Sequence, residues 1–129
     1  MAFPQLPSAL RFIVIGCGAA AVHFAVVYAL VESQWLPPLP ANIIGWLVAF
    51  VVSFSGHYQW TFAAQNVRWQ NALPRFFALS ALGFAVNEAS YALALHLSPW
   101  RYDVLLALVL VAVAVGTYVL SKLWAFKDR

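Results

Sequence analysis

The sequence predicts an all-α membrane protein with four transmembrane helices, built as a parallel duplication of a two-helix hairpin. Three observations carry that reading. Of 129 residues, 64% are hydrophobic and only 9% are charged, against about 25% charged in ordinary soluble domains, and the mean hydropathy is +0.83. The apolar residues fall into four blocks, and four bilayer spans of about 20 residues each would occupy most of the chain. Residues at the ends of the first two blocks also recur at the ends of the last two. A soluble enzyme is excluded, because four buried helices of this composition would leave almost no polar residues to cover a water-facing surface.

The helices are expected at about 12–31, 39–57, 76–97 and 102–121, within a single transmembrane domain covering 1–129. The first block follows Arg11. Val14-Ile15-Gly16-Cys17 resembles a lipoprotein cleavage box, but only five residues separate Arg11 from Cys17, fewer than the 7–15 apolar residues of a signal h-region. Cys17 is therefore read as a small apolar helix residue, and a lone cysteine excludes an intrachain disulfide. The second block opens at Pro37, Pro38 and Pro40 and carries Trp46 as a packing residue. The polar segment from Gln65 to Pro74 precedes the third block, and Ser98-Pro99 separates it from the fourth.

Topology follows from the cations. Arg11, Arg68, Arg75, Lys122, Lys127 and Arg129 flank helix ends on one side, and only Arg101 lies on the other, beside Asp103 and across from Glu32. The positive-inside rule makes the basic side cytoplasmic, with both termini inside. Trp35 and Trp100 then fall at the outer boundary and Trp60, Trp69 and Trp124 at the inner one, as an aromatic belt. The pI near 9.4 reflects this topology. Nucleic acid is not an expected partner, since it requires a basic soluble surface.

Arg11-Phe12 recurs as Arg75-Phe76, and Trp60-Thr61-Phe62 as Trp124-Ala125-Phe126, both at a spacing of 64. Ala21, Val22 and Ala25 match Ala85, Val86 and Ala89 at the same spacing, and Ser53, Phe54 and His23 correspond to Thr117, Tyr118 and Asn87. The repeats are expected at 11–62 and 75–126. A unit of two spans returns the chain to its starting side, so the halves are parallel; transporters built from such repeats place their working site near the repeat interface. Gly45, Ala49 and Ser53, flanked by Asn42 and Gly56, form a small-residue face on the second helix. Similar stripes are Gly16 and Ala20, Ala81, Ala85 and Ala89, and Ala112 and Gly116. Such faces let helix backbones approach closely in lipid, in a compact bundle or a homo-oligomer.

Two groups of polar residues stand out. Glu88 lies about 20 Å into its helix from Arg75 and His23 about 18 Å from Arg11, at about 1.5 Å per residue. Both are deep in a core about 30 Å thick, with Asn87 beside Glu88. Intramembrane ionisable residues point by default to a pathway or a substrate contact; the bland alternative is Glu88 hydrogen-bonded to His23, Asn42 or Ser90. The second group is at the inner helix ends: Ser53, His57, Tyr58 and Trp60, echoed by Thr117, Ser121, Lys122 and Trp124, with Arg11 and Arg75 nearby. Cations and hydrogen-bond donors doubled in register at headgroup level suit phosphate recognition, although plain snorkelling anchors would explain any one of them. Paired cysteines, metal-spaced histidines, a Gly-rich phosphate loop and a Gly-x-Ser-x-Gly elbow are all missing. No cofactor, metal or catalytic residue is expected.

The Arg-Phe start, the polar residue in mid-helix, Ser53-x-x-x-His57-x-x-Trp60-Thr61-Phe62 and its echo Thr117-x-x-x-Ser121-Lys122-x-Trp124-Ala125-Phe126 resemble the GtrA-like family, from Arg11 to Phe126. The resemblance implies a small four-helix inner-membrane protein, not an enzyme, that flips a polyprenyl-phosphate-linked monosaccharide for cell-surface polysaccharide synthesis or modification. It implies membrane glycosyltransferases as neighbours. On that reading Arg11, Arg75 and Lys122 meet the phosphate, His57 and Ser121 donate hydrogen bonds, and Trp60 and Trp124 are interface aromatics. His23, Asn42, Ser53, Asn87, Glu88 and Thr117 line a polar path. The family commonly shows Ser-x-x-x-Asn-Arg-x-Trp-x-Phe; here His57-Tyr58 and Ser121-Lys122 replace Asn-Arg, so only the second copy keeps the cation. Two other readings are a proton-coupled small multidrug-type exporter using Glu88 and a non-transporting scaffold for a glycosyltransferase.

Overall fold

The computed structural model describes residues 6–61, 63, 66 and 68–120, with the side chains of Ser8 and residues 117–120 outside that description. Four α-helices follow one another: α1 (Ser8–Glu32), α2 (Pro38–Gly56), α3 (Trp69–Leu97) and α4 (Tyr102–Leu120), with a π-helical turn, His57–Thr61, continuing α2. No strand occurs among the described residues. Among the described residues three helices are long and apolar enough to cross a membrane, Ala9–Glu32, Pro38–Thr61 and Trp69–Leu97, and α4 adds the shorter apolar stretch Tyr102–Gly116. Ile13, Val51, Leu79, Leu82, Leu93, Val111 and many other large apolar side chains are exposed, which suits lipid as the surrounding solvent. The protein is an all-α membrane protein.

The helix boundaries have local causes. At the end of α1 the Gln34 N–H donates to the Val31 carbonyl at 3.0 Å and the Trp35 N–H to the Leu30 carbonyl at 3.0 Å. Gln34 itself is left-handed, at φ 63°. These bonds make a Schellman stop. α2 starts at once behind it, because Pro38 and Pro40 sit in a first turn whose N–H groups have no intrahelical acceptor in any case. α3 starts at Trp69, seven residues before the expected Phe76, and carries Pro74 internally. A proline this near the start removes only the donor for Gln70's carbonyl, so the polar segment 69–75 joins the helix instead of ending before it.

The chain divides within α3 into two compact units, Met1–Ala81 and Leu82–Arg129. In the first, α1 and α2 pair as an antiparallel hairpin. Ala19, His23 and Val27, at steps of four on α1, are buried, as are Ala41, Asn42, Gly45, Ala49 and Phe50 on α2. Gly45 makes the approach possible: a Cβ there would lie 2.8 Å from Val27 Cγ2, 2.9 Å from His23 Cδ2 and 3.0 Å from the His23 carbonyl oxygen. Gly56 meets Ile15 in the same way, at 2.5 Å. The small-residue face expected on α2 is thus a packed face. Its partner on α1 is the Ala19-His23-Val27 stripe; Ala20 is exposed, and a Cβ at Gly16 would meet nothing within 4 Å. Ala85, Ala89, Ala112 and Gly116 are exposed as well. Trp46 packs as expected, against Phe50 and Phe77, and its Nε1 donates to Ser80 Oγ at 2.8 Å.

In the second unit Asn87, Tyr91, Leu105, Leu106 and Val109 are buried. The Tyr91 hydroxyl donates to the Tyr102 carbonyl at 3.1 Å. Arg101 pairs with Asp103 at 3.0 Å, and Asp103 accepts from the Val104 N–H at 2.9 Å, an acidic group placed where the N-terminal end of a helix favours it. Gly45→Ala is expected to destabilise the first unit by about 1–3 kcal/mol, the usual cost of overpacking where backbone must move. Gly16→Ala is expected to be neutral or to stabilise by up to about 1 kcal/mol. Thermal unfolding of both variants in detergent checks the contrast.

Candidate functional site: a groove at the end of α2

Phe12, Phe76 and Thr61 are partners of the His57 ring at the start of the π-helical turn. The His57 ring stacks on Phe12 at 4.5 Å between centroids and 16° between planes, and meets the edge of Phe76 at 5.5 Å. Its Nδ1 is 3.1 Å from Thr61 Oγ1. His57 and Thr61 are both buried. π-helical geometry inserts one extra residue per turn, and such turns gather at functional sites.

Beside this turn is a groove of about 500 Å³, within the usual range for small-molecule sites of about 300–1,000 Å³. His57, Tyr58 and Gln59 come from the turn, Ala63 and Asn66 from the connection, and Ala72, Arg75, Phe76 and Leu79 from the start of α3, with Phe54 closing it from α2. Asn66 is left-handed, at φ 55°, a conformation asparagine tolerates better than most residues. The walls are divided in character. Phe54 and Phe76 are 5.9 Å apart and Phe54 stacks on Tyr58 at 5.7 Å, making an aromatic side. Arg75, Gln59 and Asn66 supply a cation and hydrogen-bonding groups, and no carboxylate lines the groove among the described residues. An anionic group attached to an apolar chain is the ligand chemistry these walls fit.

The structure brings together two of the expected phosphate ligands, His57 and Arg75. Arg11 is elsewhere: its Nη1 donates to the Trp60 carbonyl at 2.6 Å and its Nε to the Leu6 carbonyl at 3.0 Å, and it does not line the groove. Ser121, Lys122 and Trp124, together with the Thr117 side chain, lie outside the described residues. Gln59 and Asn66 were missed in sequence, since a lone glutamine between aromatics and an asparagine in a polar loop carry no spacing signal. Asn66 acquires meaning only through its left-handed turn.

The polar residues of the spans are partly brought together. His23 Nε2 donates to Asn42 Oδ1 at 2.6 Å, since a carboxamide oxygen only accepts. His23 is 6% exposed and Asn42 is fully buried, so this pair bridges α1 and α2 beside Gly45. Ser53 is half-buried on α2. In the second unit Asn87 is buried and Glu88 half-buried.

Residues 11–126 match the family described as GtrA/DPMS, transmembrane domain. The chain belongs to this family. Membership connects it with polyprenyl-phosphate sugar translocation or synthesis, in a family that is generally of flippase type and not enzymatic. No curated protein and no solved structure matches the chain at a significant level.

Replacing Asn42 by Leu leaves the His23 donor buried without this acceptor, and His23→Leu does the converse. The double variant is expected to be less destabilised than the sum of the single ones, with a coupling of about 0.6–2 kcal/mol, the range of interhelical hydrogen bonds in membranes. Unfolding of the four proteins in a double-mutant cycle measures it.

Proposed function

We propose that this GtrA/DPMS-family protein translocates a polyprenyl-phosphate-linked monosaccharide across the inner membrane for cell-surface polysaccharide synthesis or modification, alone or as a subunit beside a glycosyltransferase. The observation that carries the reading is the groove, lined by the cation Arg75 together with the aromatic residues Phe54, Tyr58 and Phe76. Arg75 takes the phosphate, since a guanidinium offers several donors in a fixed fork. Gln59, Asn66 and His57 offer hydrogen-bonding groups, and the aromatic wall takes the first part of the apolar chain. Lys122 and Ser121 stay in the proposal as phosphate ligands on the sequence pattern alone, Thr117-x-x-x-Ser121-Lys122 echoing Ser53-x-x-x-His57. A sugar crossing lipid unaided loses the water on its hydroxyls without replacement. Polar groups within the spans, namely His23, Asn42 and Ser53 in one unit and Asn87, Glu88 and Thr117 in the other, lower that barrier.

The proposal includes an orientation with both termini cytoplasmic. It is supported by six of the seven Lys and Arg residues flanking one set of helix ends and by the pairing of Arg101 with Asp103 at the other. It also includes descent of the two halves from one duplicated hairpin. The buried residues support this: Asn87, Tyr91, Leu105, Leu106 and Val109 fall 64 positions after His23, Val27, Ala41, Asn42 and Gly45.

Reconstitution into vesicles with a labelled polyprenyl-phosphate sugar is the test. The protein is expected to accelerate exchange between leaflets, and Arg75→Ala to reduce that rate at least about tenfold, since a charge-assisted hydrogen bond contributes about 1.5–3 kcal/mol and 1.4 kcal/mol is a factor of ten. Equal exchange with and without protein overturns the proposal.

A further inference from the structure

The two arginines that the repeat makes equivalent, Arg11 and Arg75, have different surroundings. Arg75 lines the groove. Arg11 is half-buried and has its guanidinium against backbone, with Nη1 2.6 Å from the Trp60 carbonyl and Nε 3.0 Å from the Leu6 carbonyl.

The Trp60 carbonyl lies in the last turn before the helical segment ends at Thr61. Carbonyls of a final turn have no intrahelical donor, and the macrodipole makes that end negative. A basic residue in the same turn can bond them, yet neither α2 nor the π-helical turn has one. Arg11 supplies it from the neighbouring helix. Judged on α1 alone, a cation at the N-terminal end is unfavourable. In an antiparallel hairpin that end adjoins the C-terminal end of the partner, where the same charge stabilises. Phe12, the next residue, stacks on His57 at 4.5 Å. The dipeptide therefore grips both ends of the segment His57–Trp60, and His57, Tyr58 and Gln59 form one wall of the groove.

We propose that Arg11 is a positioning residue for the groove: it acts through the Trp60 carbonyl, with Phe12 on the His57 ring, to fix the part of the lining formed by His57, Tyr58 and Gln59. The proposal rests on reading the groove as the lipid-phosphate site. It assigns the charge of Arg75 to the ligand and the charge of Arg11 to the fold.

The test uses the full chain in detergent, with farnesyl phosphate and farnesol as probes that share an apolar tail and differ in charge. The imidazole signals of ¹³C-labelled His57 serve as a probe of the wall, because the ring current of a stacked Phe12 shifts them. Arg75→Ala is expected to weaken farnesyl phosphate about tenfold or more and to leave farnesol and the His57 signals within error of the parent. Arg11→Ala is expected to weaken both probes by a similar factor and to move the His57 signals toward those of Phe12→Ala. Arg11→Lys, which keeps the charge and a donor, restores most of both, and it remains available should Arg11→Ala fail to fold. Loss of farnesyl phosphate alone in Arg11→Ala, with unmoved His57 signals, makes Arg11 a phosphate ligand and overturns the proposal. If neither probe binds the parent chain, the lipid-phosphate reading of the groove fails by itself. The clamp is then decided by His57, and unmoved signals in Arg11→Ala and Arg11→Lys overturn it.

Discussion

The first unit depends on one close approach, that of α2 to the backbone of α1 at Gly45. Helices in lipid gain nothing from hiding apolar side chains from each other's surroundings, because the lipid tails are equally apolar. Dispersion contacts at short range and interhelical hydrogen bonds have to supply the association. Gly45 gives both. It admits the His23 carbonyl and the Val27 side chain, and the approach sets Asn42 where His23 can donate to it at 2.6 Å. A buried polar pair is favourable only when its geometry is good, so the glycine and the pair are parts of one constraint. Gly56 against Ile15 extends the same contact toward the end of the hairpin.

That register has consequences at the other end of α1. With α2 fixed along α1, Arg11 comes opposite Trp60 and Phe12 opposite His57. The turn His57–Thr61 departs from α geometry and keeps His57 and Thr61 both buried and within hydrogen-bonding distance. Tyr58 and Gln59 are thereby placed beside the start of α3, which brings Arg75 and Phe76. The groove is built where a tightly paired hairpin meets a helix whose polar first turns include Pro74.

The positions that are buried in the second unit repeat those of the first, but the residues there differ in kind. Leu106 stands where Asn42 would be, Val109 where Gly45 would be, and Asn87 where His23 would be. The polar partner and the glycine that define the first hairpin are both replaced by bulkier apolar residues. Val109 has a Cβ where the first hairpin requires none, and a Cβ at Gly83 or Gly116 would meet nothing within 4 Å. Burial at positions 64 residues apart thus goes with different side chains, and the second unit has an ionisable residue, Glu88, half-buried on α3.

The sequence by itself determined that the chain is a helical membrane protein, with its helices over the apolar blocks, and it singled out His57 and Arg75, which the structure sets around one groove. Those features are legible because hydrocarbon solvent constrains each helix separately, so composition along the chain reports them without any knowledge of partners. The start of α3 was not legible, since a proline marks a boundary in sequence but is tolerated when only one early carbonyl loses its donor. The face of α1 that meets α2 was not legible either. Gly16 and Ala20 resemble a packing stripe as closely as Ala19 does, and only the fit of His23 to Asn42 over Gly45 selects between them. The separation of Arg11 from Arg75 is of the same kind: both are cations at helix starts, and what each one faces is decided by the chain folding back on itself, because a guanidinium goes to the carbonyl or anion that the tertiary structure brings within reach.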